Sequence, residues 1–232
     1  MAELLFFSFL AGVCTLMGAV LLFLKKQWSL ESLSSFLGLA SGVMLAVVIF
    51  DMLPSALLSD WLGTGEGFLL GLIVLGIIDY VFSRRRVAGE TMLSLGYLIM
   101  LGIAMHDLPE GMAIAMGHEI KARTGMLITL AIGVHNIPEG MAMAAPLLIA
   151  GIGRLRIIWQ LAIVALITPL GTMLGVFLLK ILPELMSPLL GFASGVMIYL
   201  VVFHLWPQAG KDGSRWVGFW IGILAILLAT FL

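Results

Sequence analysis

The chain has 232 residues, of which 62% are hydrophobic and only 11% charged, with a formal net charge of −1. Soluble domains run at about 45–50% apolar and about 25% charged, so this composition, with a mean hydropathy of +1.17, excludes a water-soluble globular domain. What is left is an all-α integral membrane protein; the near-neutral charge names no partner, and no nucleic acid is expected.

A membrane-crossing helix needs about 20 residues. Eight candidate spans follow one another, at roughly 4–24, 33–53, 66–83, 91–117, 125–150, 156–180, 185–206 and 216–232. They use up most of the chain, so residues 1–232 read as a single transmembrane domain. Its function is expected inside the bilayer or in very short loops.

Span one follows Met1-Ala2-Glu3, which lacks the basic start of a secretory leader, so no leader is expected. It carries the lone Cys14, which excludes an internal disulfide or a multi-cysteine cluster and reads as a packing residue. Lys25 and Lys26 close it. Span two contains Gly38-Leu39-Ala40-Ser41-Gly42-Val43-Met44 and has Asp51 near its far end. Span three holds Gly67 and Gly71, then Asp79, and ends at Arg84–Arg86, an anchoring run that Asp79 is expected to answer.

Spans four and five each carry one copy of a short motif. His106-Asp107-Leu108-Pro109-Glu110-Gly111 recurs as His135-Asn136-Ile137-Pro138-Glu139-Gly140. Ionisable groups in an apolar span are costly and mark function by default. His118 and Glu119, between these spans, read as a solvated loop. Span six has Thr168-Pro169, then Gly171 and Gly175. Span seven contains Gly191-Phe192-Ala193-Ser194-Gly195-Val196-Met197 and His204, and span eight carries Gly218 and Gly222. The Gly-x-x-x-Gly spacings predict close helix crossings.

Nine of the twelve basic residues fall in the loops after spans one, three, five and seven. The basic side is the cytoplasmic side, so both termini are expected outside. The span-two heptapeptide matches that of span seven at a constant separation of 153 residues, continuing through Val48/Val201, Asp51/His204 and Pro54/Pro207. In this topology spans two and seven run in opposite directions, as do spans four and five. The pattern is a 3+2+3 inverted repeat: repeat one at about 1–90, a central pair at about 91–150 and repeat two at about 151–232. Such folds place their substrate at the midplane, on helices interrupted by Gly or Pro.

Residues four apart share a helix face, so His106 with Glu110, and His135 with Glu139, are each able to approach one ion. A neighbouring ion has Asp107 and Asn136 available, with the glutamates serving both positions. Pro109 and Pro138 lack the N–H that the carbonyls of Met105 and Val134 need, and are expected to bend the helices and open room. Imidazole with carboxylate suits zinc, iron, manganese or cobalt. Metal binding requires deprotonated ligands, so occupancy and protonation are expected to be coupled. Met44 and Met197 offer soft thioethers. Asp51 and His204, near opposite span ends, are candidates for an ion pathway.

On the paired His-x-x-Pro-Glu-Gly motifs and the eight-span layout, the chain resembles the ZIP (Zrt-, Irt-like protein) family of divalent metal transporters. The resemblance implies uptake toward the cytoplasm across the cell membrane, zinc first, with iron, manganese, cobalt or cadmium as further cargo. The metal is then the transported substrate, and no prosthetic group is expected. It assigns metal binding to His106, Asp107, Glu110, His135, Asn136 and Glu139, and adds Met44. A homodimer and an elevator-like movement of the central helices are implied as well. Thr168 stands where the family often has a glutamate, which predicts a weak or missing second metal position. The short loop at about residues 84–90 has no histidine, so a metal-sensing loop is not expected. Two alternatives stay open on the residues alone: an intramembrane metal-dependent enzyme, and a metal-selective channel. The His-Glu-x-x-His pattern of common zinc proteases is absent.

Overall fold

The computed structural model describes residues 1–24, 28–84, 91–210 and 215–231, and the described chain is helical apart from short connections. In order, the helices are α1 (Ala2–Phe23), α2 (Leu30–Val47), α3 (Leu53–Ser59), α4 (Trp61–Arg84), α5 (Thr91–Ile120) and α6 (Ala122–Ile149). There follow α7 (Arg154–Ala165), α8 (Ile167–Leu178), α9 (Met186–Leu200), α10 (Trp206–Ala209) and α11 (Arg215–Phe231). Helices α2 and α3 form one rod, as do α7 and α8, and α9 and α10, giving eight rods. Six of them are long and apolar enough to cross a membrane by length and composition; α6, with 28 residues, and α11, with 17, complete the set. The chain is an integral membrane protein by this measure, and its large exposed side chains, such as Phe6, Leu69, Ile73 and Trp159, are apolar as a lipid-facing surface requires.

Two boundaries differ from the sequence reading by five residues or more. Helix α4 starts at Trp61 rather than near residue 66 because the Asp60 carboxylate accepts from the backbone N–H groups of Leu62 and Gly63, both at 3.1 Å. The α2–α3 rod continues to Ser59, past the expected end at 53.

Proline disturbs the α geometry outside the two motif copies. Helices α5 and α6 run unbroken through Pro109 and Pro138. The backbone departs from α geometry instead at two π turns, Val48–Met52 and Val201–Leu205. Pro54 and Pro207 follow them directly and lack the N–H for an i−4 bond. The preceding Leu53 and Trp206 N–H groups reach back five residues, to the carbonyls of Val48 and Val201. A third departure is the break at Leu166, between α7 and α8, where Pro169 leaves the Ala165 carbonyl without its helical donor.

Glycines set the helix partners, as their spacing predicted. On α2, Gly38 and Gly42 lie against the carbonyls of Arg215 and Phe219 of α11, while Gly218 and Gly222 return the contact onto Ser35 and Leu39. The α4–α9 crossing is built the same way, with Gly67 and Gly71 on Pro188 and Phe192, and Gly191 and Gly195 on Thr64 and Phe68. Helix α1 meets α6 through Gly18 and Gly140, and α5 meets α8 through Gly111 and Gly171. Any Cβ at these points would strike backbone, so the helices approach at close range. Two bundles result. One holds α1, α5, α6, α7 and α8; the other pairs α2 with α11 and α4 with α9.

Candidate metal centre

Helices α5 and α6 are antiparallel neighbours joined at Ile120–Ala122, which brings the two motif copies side by side. His106, Asp107, Glu110, His135, Asn136 and Glu139 are all buried, none more than 3% exposed. The structure therefore gathers all six expected residues in one place, six polar groups in an apolar core.

The pairing within the cluster differs from the same-face expectation. Each histidine bonds to the glutamate of the other helix. His106 Nε2 lies 3.2 Å from Glu139 Oε1, and His135 Nε2 lies 3.1 Å from Glu110 Oε2. Antiparallel packing brings the residue at motif position one level with the residue at position five across the interface, and the i, i+4 face of each helix points at the seam. The same-helix grouping also holds at longer range: ligand atoms of His106, Asp107 and Glu110 all lie within 4.8 Å of one another.

Backbone carbonyls orient the cluster. The Gly102 carbonyl accepts from His106 Nδ1–H at 3.1 Å, which turns Nε2 toward the seam, the outer-shell arrangement of metal-bound histidines. Asn136 Nδ2 donates to the Ala11 carbonyl of α1 at 3.0 Å. That contact fixes its amide orientation and leaves Oδ1 free. Thr172 Oγ1 donates to the Gly111 carbonyl at 2.9 Å and lies 2.6 Å from Ser8 Oγ, so α1 and α8 are tied to each other behind α5.

The oxygens left over are those a cation would use. Both carboxylate oxygens of Asp107, Oε1 of Glu110, Oε2 of Glu139 and Oδ1 of Asn136 are buried without a hydrogen-bond partner. Asp107 Oδ1 is 3.6 Å from His106 Nε2, too far for a hydrogen bond. Buried polar atoms are nearly always partnered, and five orphaned oxygens on the two motif copies fit a divalent ion with two imidazole nitrogens beside it. Mixed nitrogen and oxygen donors of this kind suit zinc and its neighbours.

A cavity of about 170 Å³ reaches Glu110 and His135 from the end where α5 meets α6, with Asp51 and Ser55 in its wall. The π turn ahead of Pro54 sets the helical phase that puts Asp51 there. His106 and Glu139 lie deeper and do not line it. His204, at the matching position of the other π turn, is placed differently. Its Nε2 lies 3.0 Å from Asp79 Oδ2, which also accepts from the Tyr199 hydroxyl at 3.0 Å. Asp79 thus meets Tyr199 of α9 and His204 of the π turn after it, while Arg85 and Arg86 of the basic run expected to answer it lie outside the described residues. Met44 is fully buried in the apolar core, as is Met197. Glu119 pairs on the surface with Lys180 at 3.2 Å. The sequence reading missed the carbonyls of Gly102, Ala11 and Gly111 and the Ser8–Thr172 contact. Backbone acceptors carry no sequence signal, and Ser8 and Thr172 meet only across the fold.

The chain is similar to known proteins over most of its length. The family model described as ZIP Zinc transporter matches residues 82–231. The chain is 32% identical over 223 residues to the zinc transporter ZupT of Enterobacter sp. (strain 638), covering 88% of this chain and 86% of that protein. It is 31% identical over 268 residues to the ZupT of Chlorobaculum parvum, covering 100% of both. The ZupT of Shigella flexneri is 31% identical over 223 residues, with 88% and 86% covered. The buried His/Asp/Glu cluster, the apolar helices and these matches together establish that the chain belongs to the ZIP family of zinc transporters.

Proposed function

We propose that this divalent metal transporter, which is not an enzyme, carries zinc through the α5–α6 cluster toward the cytoplasm by alternating access. Iron, manganese, cobalt and cadmium are further cargo on the same ligand chemistry. The observation that carries the reading is the set of orphaned oxygens beside two histidines, with a cavity that reaches Glu110 and His135 past Asp51. Such a site binds from one side at a time. The metal is substrate, so release matters as much as capture, and buried carboxylates serve both because their affinity falls when they take up protons.

The primary position uses His106, His135, Glu110 and Glu139. Asp107 and Asn136 belong to a neighbouring position that Thr168 leaves short of a charge. Met44 is an auxiliary soft ligand. Asp51 draws cations into the cavity, and His204 with Asp79 lies on the way out. The full chain is one transporter domain of the 3+2+3 inverted-repeat type. In support, the two π turns stand 153 residues apart, like the heptapeptides, and the α2–α11 crossing matches the α9–α4 crossing. Both termini face the outside, on the distribution of lysine and arginine. The bundle of α1, α5, α6, α7 and α8 moves as an elevator against the α2–α11 and α4–α9 pairs, and those pairs provide the surface of a homodimer.

The test is zinc uptake into proteoliposomes loaded with a zinc-sensitive dye. Wild-type vesicles accumulate zinc and Glu110→Ala and Glu139→Ala vesicles do not. Uptake at the wild-type rate by both variants overturns the reading. Metal-dependent turnover without flux favours an enzyme, and flux that never saturates favours a channel.

A further inference from the structure

The 153-residue correspondence extends to α1 and α8, where it pairs Thr15 with Thr168 and Gly18 with Gly171. The contacts agree. Gly18 lies on the Ile137 carbonyl and Gly171 on the Leu108 carbonyl, and these two residues hold the same place in the two motifs. The Thr15 carbonyl lies against Gly140, and the Thr168 carbonyl against Gly111. Those glycines directly follow Glu139 and Glu110. Helices α1 and α8 therefore cross the site helices at the level of the carboxylates, one on each side.

Both threonines are fully buried, at 1% and 0% exposure, and neither Oγ1 has a hydrogen-bond partner. This is unusual. A buried hydroxyl in a helix ordinarily bonds to the carbonyl four residues back. In this protein Ser41 does so at 2.8 Å and Thr129 at 2.7 Å. For Thr15 that carbonyl is Ala11, which accepts instead from the Asn136 amide. For Thr168 it is Val164, at the break ahead of Pro169. A buried hydroxyl without a partner is costly, and the fold has placed two, symmetrically, on the helices that cross the site at the level of Glu139 and Glu110.

Resting on the transporter reading above, we propose that Thr15 and Thr168 are a symmetric pair of specificity-determining residues that supply neutral oxygen donors to the shell of the transported ion. Each hydroxyl has lone pairs for a cation or its bound water and one proton for a carboxylate oxygen. Hydroxyl oxygen is a hard donor. It favours manganese over cadmium, whereas the histidines favour softer ions. The two threonines thus bias the cluster toward the harder end of the divalent series.

The experiment is competitive uptake of Mn²⁺ and Cd²⁺ into proteoliposomes by the full chain. Thr15→Val and Thr168→Val keep shape and volume but remove the hydroxyl. Each is expected to lower the Mn²⁺:Cd²⁺ uptake ratio about threefold, the effect of one hydrogen-bonding group, with a larger drop in the double variant. Thr15→Ser and Thr168→Ser restore the wild-type ratio. A purely structural role lowers both ions together and leaves the ratio unmoved, which overturns the proposal. A shift in only one of the two valine variants overturns the symmetric pair. Wild-type vesicles that take up neither ion remove the transport reading and this inference with it. If wild type transports, Glu110→Ala abolishes uptake and the valine variants keep the wild-type ratio, this inference alone fails.

Discussion

The cross-helix pairing is open to a direct energetic test. In metal-free protein, His106 should couple more strongly to Glu139 than to Glu110, although Glu110 is its neighbour on the same helix face. The geometry sets the size. His106 Nε2 and Glu139 Oε1 are 3.2 Å apart with both side chains fully buried, whereas no hydrogen bond joins His106 to Glu110 among the described residues. Residues in direct contact within a buried network couple by about 0.5–3 kcal/mol, and a charge-assisted hydrogen bond contributes about 1.5–3 kcal/mol. The His106→Ala and Glu139→Gln cycle should therefore give a coupling of about 1.5–3 kcal/mol, read from chemical unfolding in detergent with a chelator present. The His106→Ala and Glu110→Gln cycle should give a clearly smaller coupling, since no hydrogen bond joins that pair although its ligand atoms lie within 4.8 Å. The same Glu139→Gln change should weaken zinc binding about 10- to 150-fold, the affinity equivalent of that charged bond, because Glu139 Oε2 is a free ligand atom. Equal couplings in the two cycles, or zinc affinity within about threefold of wild type, would refute the reasoning.

Three further outcomes follow from the packing and the cavity. Gly140→Ala places a Cβ against the Thr15 carbonyl, which is backbone with nowhere to go; overpacking of about 1–3 kcal/mol and loss of uptake are expected, while Gly65→Ala, with nothing within 4 Å, should unfold and transport like wild type. Pro54→Ala restores the N–H toward the Phe50 carbonyl and favours α over π geometry, which turns Asp51 by about 100°; zinc uptake at limiting metal should fall, and a rate equal to wild type counts against a role for the π turn. Asp51→Asn should raise the apparent KM for zinc and flatten its dependence on ionic strength with little change in maximal rate, since a charge at the cavity wall concentrates cations without binding the transported ion; an unchanged salt dependence removes Asp51 from the pathway.

Much of this protein was legible in its sequence because a membrane simplifies the rules. Apolar runs of sufficient length report spans directly, and a charged motif inside such a run has few explanations besides function. The glycine spacings named the crossing faces, since only glycine permits that approach. Spacing along one helix could not name the partner across a seam, so the same-face reading put His106 with Glu110. Antiparallel packing put it with Glu139. Nor could it distinguish prolines that a helix absorbs from those that distort it. Pro109 and Pro138 sit in unbroken helices, while Pro54, Pro169 and Pro207 coincide with π turns and a break.

The sequence by itself determined the eight apolar spans, the candidate residues for an ion site and the internal correspondence at 153 residues. Each of these is written in the order and chemistry of side chains. Only the tertiary structure decided which histidine meets which glutamate, which carbonyls hold the site in place, and that Asp51 lines a cavity while its counterpart His204 is paired with Asp79. Those are relations between backbone groups and side chains on different helices, fixed by how closely and in what direction the helices cross.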